Sequence, residues 1–391
     1  MSRRLARIGC AAVAGGALSG PPAVAAEVCT AWAEPEVLAE CPATELNESS
    51  GLAASGRQPG EWFTHNDAGG SAELYRFNEA GEHLETHEVV GAAFRDWETL
   101  DAGPCPAGVE AERCLFIGDV GDNGRSRADV FVYVVAEPAP GEPAEVLATW
   151  RLGWPDGAED SEAMVVHPCT GRVYLFTKHN GERDPSVWRL PAEPVVGVDP
   201  APVEYVATLP RAWFGDSGRL TGADWSEGGD QLVVRTYEGA WIWDTEGGAP
   251  DTHWATAPTS IPFDPGVQGE SVAFAPAGGV LSTSERVPMR ISATRCATSV
   301  PAPACPPDEP DTGSPPGPDT AAPPDTATPS NPGDGTETGA PARDVPSGGG
   351  PPGPEDEGCD CSRPAGVLWV PLLGFAAARR RREATPTPRD A

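Results

Sequence analysis

Short apolar runs recur along residues 27 to 298, each opened by small or acidic residues and followed by a second apolar run that ends in polar groups. Five copies of this pattern are visible. They open at Ser49-Ser50-Gly51-Leu52, Asp96-Trp97-Glu98-Thr99-Leu100, Asp160-Ser161-Glu162-Ala163-Met164, Thr221-Gly222-Ala223-Asp224-Trp225 and Gly269-Glu270-Ser271-Val272-Ala273, at intervals of 47 to 64 residues. The second runs end as Thr64-His65-Asn66-Asp67, Gly118 to Asn123, Thr177-Lys178-His179-Asn180, Thr236-Tyr237-Glu238 and Thr283-Ser284-Glu285. Where the spacing leaves room, third and fourth strands follow, as in Val130 to Val135 with Val146 to Leu152, and Val187 to Leu190 with Glu204 to Leu209.

That interval matches a blade of four short strands, so the pattern predicts an all-β fold, a single β-propeller over 27–298. Five blades are expected, or six if a long unit splits. Glu27 to Ala39 would supply the outer strand the last unit lacks, closing the ring and protecting the sheet edges. In such a blade the start of the first strand and the end of the second lie on one face, so ten polar segments converge around one channel mouth.

The acidic members of those segments are Asp67, Asp96, Glu98, Asp119, Asp122, Asp160, Glu162, Asp224, Glu270 and Glu285, joined by the amide of Asn123. Crowded carboxylates repel unless a cation, a proton or a basic residue compensates them. Calcium is the expected cofactor, because it accepts six to eight hard oxygen ligands in flexible geometry. Gly118-Asp119-Val120-Gly121-Asp122-Asn123 offers three such side chains between glycines. The competing reading is an acidic, solvated rim built from turn-forming Asp and Asn.

Composition narrows the function further. The 391 residues hold 27 Lys+Arg against 58 Asp+Glu, a net charge of −31, which argues against a nucleic-acid partner. The 46 Gly and 45 Pro exclude a helical bundle. A single Lys, Lys178, stands among the Arg residues at a second-strand end. Its compact ammonium would hold an anion or neutralise the carboxylates, and Arg235 occupies the corresponding place in the next unit. Catalytic candidates are thus Lys178 and Arg235 as anion holders and His65 and His179 as general bases, although no nucleophile elbow, zinc-protease helix or phosphate loop is present.

The ends read as export and tethering signals. Residues 1–26 combine an Arg-rich start, an apolar stretch and small residues near Ala23-Val24-Ala25, as in a secretory signal peptide. Residues 299–357 are almost entirely Pro, Gly, Thr, Asp, Ser and Ala, a disordered stalk. Residues 358–391 carry Cys359-Asp360-Cys361, an apolar run from Ala365 to Ala378 and the cluster Arg379 to Arg382. Of the seven cysteines in the exported domain, Cys105 and Cys114 are expected to pair, Cys29 or Cys41 to join Cys296 or Cys305, and Cys169 to be unpaired or to pair elsewhere.

That order of Cys motif, short apolar segment and Arg cluster resembles the MYXO-CTERM sorting tail. The resemblance implies envelope sorting machinery as a partner and a final place at the cell surface. The words His65-Asn66-Asp67, Asp96-Trp97-Glu98, Gly118 to Asn123, Asp160-Ser161-Glu162-Ala163 and Gln268-Gly269-Glu270 resemble a group of secreted, largely uncharacterised bacterial propeller proteins. More distantly the chain looks like propeller phytases and their esterase-like relatives, which use calcium in an acidic channel. Two functions follow as expectations: a binding or scaffold module taking a cation and a small or polymeric ligand, or a calcium-dependent phosphoesterase or esterase.

Overall fold

A computed structural model describes residues 27–302 and 305, apart from 68–69, 112, 180–182, 192–198, 216–217 and 246–252. The signal peptide, Asn180, most of the stalk and the C-terminal tail lie outside the described residues. Among the described residues no helix is long and apolar enough to cross a membrane.

The chain begins with strands β1 (Glu27–Trp32) and β2 (Glu36–Cys41). A first meander follows: β3 (Ser49–Ala54), β4 (Glu61–Asn66), β5 (Glu73–Asn78) and β6 (His83–Val90). The second comprises β7 (Thr99–Gly103), β8 (Cys114–Asp119), β9 (Val130–Ala136) and β10 (Ala144–Gly153). The third has β11 (Ser161–Val166), β12 (Val173–Thr177), β13 (Ser186–Arg189) and, after the two-residue β14 (Ala201–Pro202), β15 (Glu204–Thr208). The fourth has β16 (Leu220–Trp225), β17 (Gln231–Thr236), β18 (Ala240–Asp244) and β19 (Thr259–Ile261). The last has β20 (Ser271–Phe274), β21 (Val280–Thr283) and β22 (Met289–Thr294), and β23 (Cys296–Pro301) ends the fold.

β2 returns to pair antiparallel with β22, with Val37 opposite Ser292 and Cys41 opposite Met289, so a strand from the start of the domain completes its last sheet. A two-residue parallel bridge between β6 and β10 merges the first two meanders into one nearly closed, barrel-like sheet whose end strands β3 and β7 are neighbours. The first strands form a ring: β3 packs on β7, β7 on β11, β11 on β16, β16 on β20, and β20 on β3. The architecture is all-β and propeller-like.

Alternation of side chains along the second strands explains why the sheets stack. Successive residues point to opposite faces. Trp62 therefore packs with Leu281 and Ile291 of the last sheet, while its neighbour Phe63 packs with Trp97 and Leu115 of the second meander. Phe116 faces Leu175 of the third meander while Ile117 faces the first. Leu232 and Val234 join the Phe176 core, while Val233 joins Val272 and Val280. These sheets are thus apolar on both faces, and the polar groups of the mouth are left at the strand ends.

One boundary is corrected here, and one open pairing is settled. The folded part does not stop at 298: β23 pairs with β1, Val300 opposite Val28, and Cys305 is bonded to Cys169. Of the two outcomes expected for Cys169, the structure shows pairing. Cys29 joins Cys296, Cys105 joins Cys114, and among the described residues the free cysteine is Cys41, buried beside Leu46 and Trp62. A cysteine at that position acts as a small core hydrophobe.

Candidate functional site

The ends of first and second strands do meet on one face of the ring. Asp67 follows β4, Glu98 precedes β7 and Glu270 precedes β20, and one carboxylate oxygen from each lies within 4.8 Å of the others. Glu98 and Glu270 are 3% and 5% exposed. A second group, Glu48, Asp67 and Glu285, shares Asp67 and satisfies the same distance. Backbone bonds hold the segments in place: Asp67 N–H donates to Glu48 O at 3.0 Å, Glu98 N–H to Gly118 O at 2.9 Å, and Glu285 N–H to Gln268 O at 3.0 Å.

Beside this group runs a chain of charged and hydroxyl groups. Lys178 Nζ is paired with Glu162 Oε1 and donates to the Tyr237 hydroxyl at 3.1 Å, and that hydroxyl donates to Glu270 Oε1 at 2.7 Å. Glu162 sits at the irregular step between the Ser161–Thr177 and Ala163–Phe176 pairs of β11 and β12. A bulge of this kind re-aims a side chain, here into the mouth. The second oxygens, Glu162 Oε2 and Glu270 Oε2, are buried without a hydrogen-bond donor. The Glu285 carboxyl adjoins Glu270, and the two share a hydrogen bond only when one of them holds a proton.

The electrostatics follow from burial and crowding. Burial, then Glu162, Glu270 and Asp96, pushes the Glu98 carboxyl well above the usual range. Burial also raises Glu162, with Lys178 opposing and Glu270 adding to the rise. Glu285 is pushed up to about 8 by burial and then by Glu270. Burial alone would lower Lys178, but the Glu162 carboxylate and Tyr237 outweigh it and hold the ammonium above its ordinary value. The mouth thus favours extra positive charge, whether protons or a metal ion.

The Gly118–Asn123 segment serves this group indirectly. A Cβ on Gly121 would run into Glu98 Oε1 and stand 2.7 Å from Asp96 Oδ2, so glycine lets both carboxylates close on the backbone. Asp119 does not join the acidic group. Its Oδ1 accepts from Arg127 Nη1 at 2.8 Å, both side chains being 2% exposed. Asp122 accepts the Arg127 N–H at 2.6 Å and donates its own N–H to Asp160 Oδ1 at 2.8 Å, while Asn123 is exposed. These residues shape the loop, as the turn-forming reading has it. Asp96 stands beside Gly121, its carboxyl raised by burial.

Asp224 is displaced from its expected place. β16 starts at Leu220, so Asp224 lies four residues, roughly 13 Å, along the strand from the mouth. There it accepts Phe274 N–H at 2.6 Å and shares a hydrogen bond with Asp101 of β7, across the lumen of the ring. Asp101 in turn accepts Val166 N–H at 2.5 Å. Burial pushes Asp101 up to about 7 and Asp224 well above the carboxylate range, each also influenced by the other.

The remaining catalytic candidates are engaged internally. The fully buried Arg235 donates to Ser271 O at 3.0 Å and Pro265 O at 2.8 Å, clamping the segment that carries Glu270 rather than presenting a cation to the mouth. His65 is buried, with Nδ1 3.0 Å from Asn66 O and its ring edge-on to Trp97. Arg125 Nη2 donates to His179 Nδ1 at 2.7 Å. Burial holds both histidines down to about 4, so they are neutral imidazoles at neutral pH. Sequence reasoning missed Glu48, Tyr237, Arg127 and Asp101. Glu48 carried a signal: like Glu98, Asp160 and Glu270, it directly precedes the Ser or Thr that opens a first strand.

No family model and no curated protein matches the chain. Solved structures similar to it include the PQQ-bound aldose sugar dehydrogenase of Streptomyces coelicolor, at 12% identity, covering 71% of this chain and 99% of that one, with a TM-score of 0.40. Kuenenia stuttgartiensis hydrazine synthase follows at 12% identity, 64% and 72% coverage and a TM-score of 0.37. A streptogramin B lyase matches at 8% identity, 67% and 97% coverage and a TM-score of 0.35. Likeness at that level says nothing of chemistry, and the architecture given above rests on strand order and ring closure alone.

Proposed function

We propose that the protein is an exported, surface-tethered five-bladed β-propeller whose acidic mouth binds a divalent cation, calcium in the first instance, and that it works as a binding or scaffold module. Each meander is one blade, with β2 as the outer strand of the last. The observation that carries the cation is the meeting of Asp67, Glu98 and Glu270, of which Glu270 has a buried oxygen, Oε2, that receives no hydrogen bond. An all-oxygen donor set suits a hard ion, and a flexible set of side chains from three blades suits calcium better than magnesium. Asp67, Glu98 and Glu270 would hold it, with Glu285 and Glu48 beside them. The hydrolase alternative is the weaker reading, since both expected anion holders are engaged, Arg235 with backbone carbonyls and Lys178 with Glu162.

The test is a calcium titration of thermal stability on the full chain after chelation. An ion at a hundred times its dissociation constant stabilises by about 2.7 kcal/mol, which in a domain of this size is roughly 5 to 10 °C. Glu98→Gln should abolish the shift, the exposed Glu88→Gln should retain it, and magnesium should not replace calcium. A wild-type melting curve indifferent to calcium and to chelator would overturn the proposal.

A further inference from the structure

We propose that Lys178 is a resident counter-ion standing in a second cation position of the mouth, and that it limits the mouth to one bound ion. The inference rests on the cation reading above and deepens it. Lys178 is the only lysine in the chain, and the structure places it 8% exposed among carboxylates. Its Nζ is paired with Glu162 Oε1 and bonded to the Tyr237 hydroxyl, which passes the contact on to Glu270 Oε1. The ammonium thus lies between one carboxylate of its own and one that belongs to the Asp67–Glu98–Glu270 group. Neither Glu162 Oε2 nor Glu270 Oε2 receives a hydrogen bond, although both residues are at least nine-tenths buried. A single charge at Nζ leaves these oxygens uncompensated, as a multidentate ion would not.

The side chain that fits is an ammonium. It is a compact, strongly hydrated point charge on a flexible stem, close in demand to a small metal ion, whereas a guanidinium is a planar fork. The buried cation of the next blade, Arg235, shows the contrast, because its fork is matched to backbone carbonyls. With Lys178 in place, a second divalent ion would meet a like charge at contact distance.

Calorimetric titration of the chelated full chain with calcium chloride tests this, comparing wild type with Lys178→Arg and Lys178→Met. Wild type and Lys178→Arg should take one ion per chain. Lys178→Met should take two, the added one with a dissociation constant on the order of 10⁻⁴ to 10⁻³ M, and its melting temperature should fall in chelator and recover in calcium. One ion at unchanged affinity in Lys178→Met overturns the counter-ion role and leaves the cation reading intact. No ion in any of the three overturns both. No ion in wild type but one in Lys178→Met supports the counter-ion role and removes the cation reading for the native chain. The double variant Lys178→Met/Glu162→Gln, which removes charge in balance, should fold and bind as wild type does. If it folds while Lys178→Met stays unfolded even in millimolar calcium, a metal ion cannot replace the ammonium and the proposal fails.

Discussion

The Asp101–Asp224 pair makes the protein's stability fall with rising pH, and Asp224→Asn should flatten that dependence. In the folded chain burial raises Asp101 to about 7 from an ordinary 3.8, and burial followed by the neighbouring Asp101 raises Asp224 well above the carboxylate range. The folded state therefore keeps protons that the unfolded chain has released above about pH 4. Such a raised carboxyl contributes no penalty below its unfolded value and an increasing one as pH climbs toward its folded value. One retained proton is worth about 1.4 kcal/mol per pH unit, so the rise to about 7 amounts to about 4 kcal/mol for Asp101 alone. In Asp224→Asn the amide oxygen still accepts Phe274 N–H and the amide N–H donates to the Asp101 carboxylate. Arg113, which favours the charged form of both acids, can then hold Asp101 ionised. Urea unfolding in chelator at pH 5, 6, 7 and 8 should show wild type losing stability over that range by several kcal/mol more than the variant, with the variant the more stable at pH 8. Parallel profiles for the two proteins would refute the shared-proton account.

Two further outcomes follow from the geometry of the mouth and the ring. Gly121→Ala places a methyl against Glu98 Oε1 and should weaken calcium-induced stabilisation by about tenfold in affinity, or 1.4 kcal/mol. Gly124→Ala, whose nearest neighbour would be 3.7 Å away, should leave it unchanged, and equal effects would detach Gly121 from the site. Among the disulfides, Cys169–Cys305 closes 136 residues and Cys105–Cys114 only nine. Chain entropy assigns them about 5 and about 2.7 kcal/mol, so paired Cys→Ser variants should lower the denaturation midpoint in that order. The reverse order would show that the unfolded chain is not what the longer bridge constrains.

What the amino-acid pattern disclosed and what it hid divide along a physical line. Strand phase was legible because these sheets are apolar on both faces, so runs such as Trp62-Phe63 and Phe116-Ile117 announce themselves regardless of partner. The convergence of Asp67, Glu98 and Glu270 followed from that phase plus the hairpin rule, which needs no knowledge of contacts. Asp224 was misplaced because its word was aligned on the acidic residue, whereas the strand begins at Leu220 and carries it past the mouth. Asp101, in mid-strand, has no local mark at all, since its role exists only through Asp224 on the opposite side of the ring. Arg127 hides in a connection, eight positions from the Asp119 it neutralises.

The same division accounts for how the mouth can be strongly acidic and still fold. Carboxylates that shape a loop have a local basic partner or backbone donors, as Asp119 has Arg127 and Asp122 has the Arg127 N–H. Of the carboxylates at the start of first strands, Asp160 has the Asp122 N–H, whereas Glu98 and Glu270 meet the acidic residues of other meanders. Repeating the motif thus multiplies the charge at one point. Lys178 compensates one carboxylate of that set, on the third meander. If the mouth binds a cation as proposed, Glu98 and Glu285, both raised by burial, hold protons at low pH and yield them to the ion as pH rises, so the calcium-induced rise in melting temperature should grow from pH 5 to pH 8 and shrink again in Glu98→Gln.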